Sequence, residues 1–163
     1  MELIVMVDAA WAIGRDGDQL CYIPPDLKRF QRRTAGHAVL VGRKTLATFP
    51  GGRPLKNRRN LILSRDPAFA PEGGEVYPTL EAALAAAPPD TYVIGGETVY
   101  RQALAHCDRA HVTKVHRAFP GADTFFPDLD RDPAWRLTDA EGPYVWGELA
   151  YTYCIYTRTG EER

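Results

Sequence analysis

Long apolar runs, paired cysteines, a surplus of either charge and the common nucleotide and nucleophile motifs are all missing from this chain. Each absence removes a class of function. No apolar stretch approaches the length of a bilayer span, so no membrane partner is expected. The first apolar run, Leu3 to Val7, is too short for the core of a secretion signal and no basic residues precede it, so no signal peptide is expected. Cys21, Cys107 and Cys154 are odd in number and widely spaced, with no CxxC pair; free thiols in a reducing cytoplasm are expected. A formal net charge of -1 leaves no basic excess for nucleic acid, so an anionic ligand must be met by local basic residues. His37, His106, His111 and His116 lack metal-ligand spacing beside cysteines or acids, and no metal is expected. Neither GxGxxG, nor a P-loop, nor GxSxG occurs.

What remains is an ordinary globular composition, 45% apolar and 25% charged, in 163 residues, enough for one domain with a sizeable core. Thirteen prolines and fourteen glycines are scattered rather than clustered, which marks turns between short elements and not disorder. Apolar runs at 3–7, 39–41, 61–63, 92–94, 110–115 and 151–157 read as strands. The first four do not alternate with polar residues, which suits central strands covered on both faces. Helices are expected over 25–34, entered through Pro24-Pro25; over 43–48; over 79–87, capped by Thr79 and stopped by Pro88-Pro89; and over 97–105. Residues 66–74 read as a surface loop. The expected fold is α/β: one domain over 1–163, with a mostly parallel sheet flanked by helices and antiparallel strands at the C-terminal end.

Several positions carry candidate chemistry. Asp26 falls in the first turn of the 25–34 helix, where local evidence alone favours a solvent-facing acid assisted by the helix dipole. Facing a cleft instead, its carboxylate suits a bidentate hydrogen bond from an amidine-like edge, such as that of a 2-amino-4-oxo pterin. Val39-Leu40-Val41 turns through Gly42 into Arg43, Lys44 and Thr45, which is either an anion-binding helix start or a capped surface helix. Leu63 is followed by Ser64 and Arg65 at a second strand end, and Ile94 by Gly95, Gly96, Glu97, Thr98 and Val99 at a third. Paired glycines there allow close approach of a ligand, or simply a tight turn. Arg58 and Arg59 sit in a basic stretch able to clamp a carboxylate or to lie solvated in a loop.

No one of these motifs is decisive, but their order is. Ile13-Gly14, Pro24-x-Asp26-Leu27-x-x-Phe30, Gly42-Arg43-x-Thr45, Arg53-Pro54-Leu55, Arg58, Asn60-x-Ile62-Leu63-Ser64, Ile94-Gly95-Gly96-x-x-Val99-Tyr100, Thr113 and Asp123-Thr124-x-Phe126-Pro127 together resemble the dihydrofolate reductases along the whole chain. The resemblance implies roles. Asp26 matches the acid that binds the pterin and supports protonation at N5, with Thr113 hydrogen-bonded near it. Leu27, Phe30, Phe49 and Leu55 match substrate walls, the last three around the aminobenzoyl group, and Arg58 the partner of the glutamate α-carboxylate. Ile4, Val5 and Ile94 match the lining of the pterin and nicotinamide pocket, Met6 its cofactor side, and Tyr100 the tyrosine near the hydride path. Gly42 to Thr45, Leu63 to Arg65 and Gly95 to Val99 match NADPH-binding segments, and Ile13 and Gly14 open the mobile loop over the nicotinamide.

The chain departs from the family pattern Leu-Pro-Trp-x-Leu-Pro at Gln19-Leu20-Cys21-Tyr22-Ile23-Pro24, where Cys21 holds the Trp position. The family Trp helps fix an ordered water and packs the loop.

The implied activity is NADPH-dependent reduction of dihydrofolate by a cytoplasmic monomer that also takes antifolate-type small molecules. Two alternatives stand beside it. A pyrimidine reductase of riboflavin synthesis shares the fold and cofactor, and a substrate screen separates it. A non-catalytic folate- or nucleotide-binding descendant would bind NADPH without turnover. For Asp26, burial should raise the pKa and the bound cationic edge should lower it.

Overall fold

The structure, a computed structural model, describes residues 1–160. Its centre is an eight-stranded sheet. The strands are β1 (Glu2–Val7), β3 (Ala38–Gly42), β4 (Arg59–Leu63), β5 (Gly74–Tyr77), β6 (Tyr92–Gly95), β7 (Arg109–Val115), β9 (Trp135–Trp146) and β10 (Leu149–Arg158). A two-stranded ladder joins β2 (Ala12–Gly14) to β8 (Thr124–Phe125). The order across the large sheet is β5-β4-β3-β6-β1-β7-β10-β9. Neighbours from β5 to β7 run parallel, and β10 is antiparallel to both β7 and β9.

Four helices cover the two faces: α1 (Pro24–Thr34), α2 (Arg43–Leu46), α3 (Leu80–Ala86) and α4 (Glu97–Ala103). Leu80 and Ala83 of α3 and Val99, Tyr100 and Ala103 of α4 pack on Leu3, Val5, Leu40, Leu61 and Val93. On the opposite face, Phe30 of α1 and Leu46 of α2 join Val39, Val41, Ile62 and Ile94. Burial of this apolar area, at about 25 cal/mol per Å², drives the layering. α1 starts where Pro24 and Pro25 preset helical φ, and α3 where the Thr79 hydroxyl accepts from Ala82 N at 3.2 Å.

Three expectations need correction. β1 is not packed on both faces: Leu3, Val5 and Val7 are buried, but Ile4 and Met6 are half-exposed, because that face opens into a cleft. The 66–74 loop ends one residue early, since Gly74 begins β5, an edge strand whose half-exposed Gly-Glu-Val-Tyr gives no apolar run. The helix expected over 43–48 ends as α-helix at Leu46, and a 3-10 turn over Pro50–Gly52 follows.

Candidate active site

The cleft begins where two strands part. β1 pairs with β7 from Glu2 to Val7 but with β6 only at Glu2↔Tyr92 and Leu3↔Val93. Beyond that point the Ile4 carbonyl accepts a hydrogen bond from the buried Tyr100 hydroxyl at 2.7 Å. Burial holds the Tyr100 phenol well above its ordinary pKa, so it donates and does not ionise. The opening widens into a cleft of 1930 Å³ along the carboxyl ends of the parallel strands. A single drug-sized ligand occupies about 300–1,000 Å³, so this space suits two ligands side by side.

At one end lies Asp26. Thr113 on β7 donates to its Oδ1 at 2.6 Å, in the short range of charge-assisted bonds. Burial raises the Asp26 pKa, while the Thr113 bond and the Arg29 charge pull it down. Its other oxygen remains available to a ligand. The solvent-facing alternative for Asp26 is therefore not what the fold delivers. Cys21 stands beside this carboxyl; burial and the charges of Asp26 and Asp8 push its thiol up to about 11.

Leu27 and Phe30 continue the same wall, one helical face of α1, and Phe49 and Leu55 lie opposite. Leu55 and Arg58 are set in place by Asn60, which is buried. Its Oδ1 accepts from Leu55 N at 2.9 Å, and its Nδ2 donates to the carbonyls of Leu55 (2.9 Å) and Arg58 (3.0 Å). The two arginines of the basic stretch then separate. Arg58 lines the cleft, with Nε donating to Thr34 Oγ1 (3.1 Å) and its terminal nitrogens to the carbonyls of Lys56 (2.6 Å) and Gln31 (2.7 Å). No acid neutralises it among these partners. Arg59 points away and is held by both oxygens of Glu75, at 2.6 and 2.9 Å.

The other end of the cleft is built from strand-to-helix turns. Gly42 ends β3, and Arg43, Lys44 and Thr45 begin α2; Gly95 ends β6, Gly96 caps α4, and Glu97, Thr98 and Val99 begin it. These turns touch: a Cβ on Gly96 would lie 2.6 Å from Thr45 Oγ1, and one on Gly42 3.1 Å from Val99 Cγ2. Gly95 has φ +129°, open to glycine alone without strain. Leu63, Ser64 and Arg65 at the end of β4 complete this rim. Lys44 and Arg65 are exposed cations, whereas Arg43 is tied to Asp66 at 3.0 Å and stacks on Phe69. Cations, hydroxyls and side-chain-free turns are the donor set a phosphorylated dinucleotide requires, so these residues fit NADPH. Ile4, Val5, Met6, Ile94, Ile13 and Gly14 lie along the cleft between its two ends.

Every residue to which the family resemblance gave a role lines this cleft, whereas Arg59, singled out beside Arg58, does not. Others were missed. Pro78, Thr79, Leu80 and Glu81 border the basic end because β5 terminates there, and a strand unseen in sequence hides its own end. Gln102 and His106 also reach the rim, with no local pattern to mark them. Among the described residues no His/Cys/Asp/Glu group is arranged to hold a metal.

A cleft at the carboxyl ends of parallel strands, with basic turns at one end and a half-buried carboxyl at the other, defines a nucleotide-dependent enzyme of the open α/β class. A sequence model described as "Dihydrofolate reductase" matches residues 1–158. The dihydrofolate reductase of Mycobacterium leprae (strain TN) is 43% identical over 154 residues, 89% of each chain. That of Bacillus subtilis (strain 168) is 35% identical over 160 residues, 93% of each. A solved structure of dihydrofolate reductase from Enterococcus faecalis, complexed with NADP(H) and RAB-propyl, superposes with a TM-score of 0.84 at 33% identity, covering 97% of this chain and 95% of that one. This chain belongs to the dihydrofolate reductase family.

Proposed function

We propose that the protein reduces 7,8-dihydrofolate to 5,6,7,8-tetrahydrofolate with NADPH, and that Asp26 is its key acid. The observation that carries this reading is the Asp26–Thr113 pair facing a cleft large enough for substrate and cofactor together. When bound, NADPH supplies the hydride. The reaction saturates the N5=C6 bond: the hydride goes to C6 and a proton to N5.

The chain's own residues orient and charge the site. Asp26 accepts the amidine edge of the pterin, and Thr113 fixes the carboxyl so that its second oxygen faces the ring. Desolvation raises the Asp26 pKa, so the carboxyl holds its proton more readily than in water and supports N5 protonation. Leu27, Phe30, Phe49 and Leu55 enclose the aminobenzoyl group, and Arg58 takes the α-carboxylate through its planar fork. Tyr100, buried near the hydride path, holds the Ile4 carbonyl at the mouth of the gap. Gly42 to Thr45, Leu63 to Arg65 and Gly95 to Val99 hold the dinucleotide; Ile13, Gly14 and Met6 line its nicotinamide end, opposite Ile4, Val5 and Ile94. Holding both rings in reacting geometry contributes on the order of 7–11 kcal/mol. Antifolates that carry the same amidine edge bind at Asp26.

Three free thiols, two of them buried, suit a reducing cytoplasm, where the protein acts as a single-domain monomer. Loss of near-ultraviolet NADPH absorbance on adding dihydrofolate, largely abolished in Asp26→Asn with NADPH binding intact, is the expected result. A near-full rate in Asp26→Asn would overturn the assignment. Turnover of a ribosylaminopyrimidine instead of dihydrofolate would favour the pyrimidine reductase.

A further inference from the structure

Behind Asp26 the sheet presents a row of three side chains on adjacent strands. Thr113 on β7 is the register partner of Tyr153 on β10, and Tyr153 is the partner of Glu141 on β9. α1 lies across this row. Its residues three apart rise by about 4.5 Å, close to the spacing of about 4.8 Å between strands. Asp26 therefore sits on Thr113, and Arg29, the next residue on the same helical face, sits on the next two strands. The Arg29 guanidinium stacks 3.8 Å from the Tyr153 ring centroid and lies 3.5 Å from Glu141 Oε2. Glu141 is itself held by the Tyr144 hydroxyl. Asp26, Arg29, His111, Thr113, Tyr153 and Cys154 border one small cavity with room for about one water molecule.

We propose that Arg29 is a positioning residue for the reaction, a counter-charge fixed behind the Asp26 carboxyl by Tyr153 and Glu141 that limits how far up the pH scale this carboxyl keeps its proton. The proposal rests on the role given above to Asp26. The groups facing Asp26 from each packed element leave Arg29 as its one cation among the described residues. From β7, Thr113 is neutral and His111 is held down at about 4, hence uncharged at neutral pH. From β10, Tyr153 is pushed up to about 12 and the Cys154 thiol is also raised, so both keep their protons. Tyr100 on α4 and Cys21 before α1 likewise stay protonated. Arg29 alone brings positive charge to bear on the carboxylate, and it borders the small cavity and not the cleft. Glu141 offsets part of that charge. The influence of Arg29 therefore falls below that of a direct, unshared pair.

The test is a carbon-13 NMR titration of the Asp26 carboxyl in the full chain, beside the pH profile of hydride transfer from NADPH to dihydrofolate, in wild type, Arg29→Met and Arg29→Lys. The expected result is an Asp26 midpoint raised in Arg29→Met by roughly half a unit to one unit. The hydride-transfer profile should move the same way, and both should return toward wild type in Arg29→Lys. An unmoved midpoint in Arg29→Met, or a lysine variant displaced as far as the methionine one, overturns the proposal. The titration reads Asp26 whether or not dihydrofolate is turned over. An inactive wild-type enzyme therefore marks failure of the proposed function, and an unmoved midpoint failure of the role of Arg29.

Discussion

Replacing Thr113 with valine keeps the shape of a buried β7 side chain and removes one hydroxyl, so it isolates the 2.6 Å bond to Asp26. A hydrogen bond to a charged group contributes about 1.5–3 kcal/mol and one to a neutral group about 1 kcal/mol. The bond therefore favours the ionised carboxyl by about 0.5–2 kcal/mol, and at 1.36 kcal/mol per unit its loss should raise the Asp26 pKa by roughly one unit. Burial already holds this pKa above the unfolded value of 3.8. A raised folded pKa gives stability that is full below the unfolded value and is lost as pH rises through the folded one. Valine deepens that loss. The variant should be less stable than wild type by about 1 kcal/mol near pH 4, from the neutral bond alone, and by about 1.5–3 kcal/mol near pH 8. Urea unfolding of both proteins at the two pH values measures the difference. The pH midpoint of hydride transfer should rise in parallel. An equal stability gap at both ends would refute the claim that the hydroxyl acts on the ionised carboxyl.

Three other outcomes are expected. Arg58→Leu should raise KM for dihydrofolate by roughly 10- to 100-fold with kcat little changed, as loss of a charged bond implies, whereas Arg59→Leu, removing an outward pair with Glu75, should leave both constants alone. Gly96→Ala places a Cβ 2.6 Å from Thr45 Oγ1 and should weaken NADPH binding measured by fluorescence titration before it affects folate binding; equal affinity would place the cofactor elsewhere. The His111 imidazole is buried, its Nδ1 has no hydrogen-bond partner among the described residues, and burial with the Arg33 charge lowers its pKa from 6.5 to about 4. Its contribution is thus full above 6.5 and lost as pH falls toward 4, on the order of 3 kcal/mol. Urea titrations of His111→Gln should show a shallower acid loss than wild type.

The legible parts of this molecule were those where local chemistry and fold agree. β3, β4 and β6 are covered on both faces, so unbroken apolar runs announce them. β9 was invisible because eleven of its twelve residues are exposed; pairing with β10 makes it a strand, not its own composition. Asp26 shows the same limit at the site. Its local setting favours a surface acid, and only Thr113, 87 positions away, turns it into a cleft carboxyl. The ordered set of motifs across the whole chain carried that information where no single segment did. Arg29 had no signal at all, since its partners Tyr153 and Glu141 lie on strands more than a hundred residues on.

β1 occupies the middle of the large sheet although it is made first. Its neighbours β6 and β7 come from residues 92–95 and 109–115, so the central strand waits for most of the polypeptide before either edge is paired. At about 5–20 residues per second, a ribosome needs several seconds to deliver them, and through that interval Leu-Ile-Val-Met-Val is an unpaired aggregation-prone segment. Closing loops of that length is slow as well, which places this fold among those of high contact order. The topology that sets the parted strand at the centre of the sheet thus also leaves that strand without either neighbour until the second half of the chain emerges.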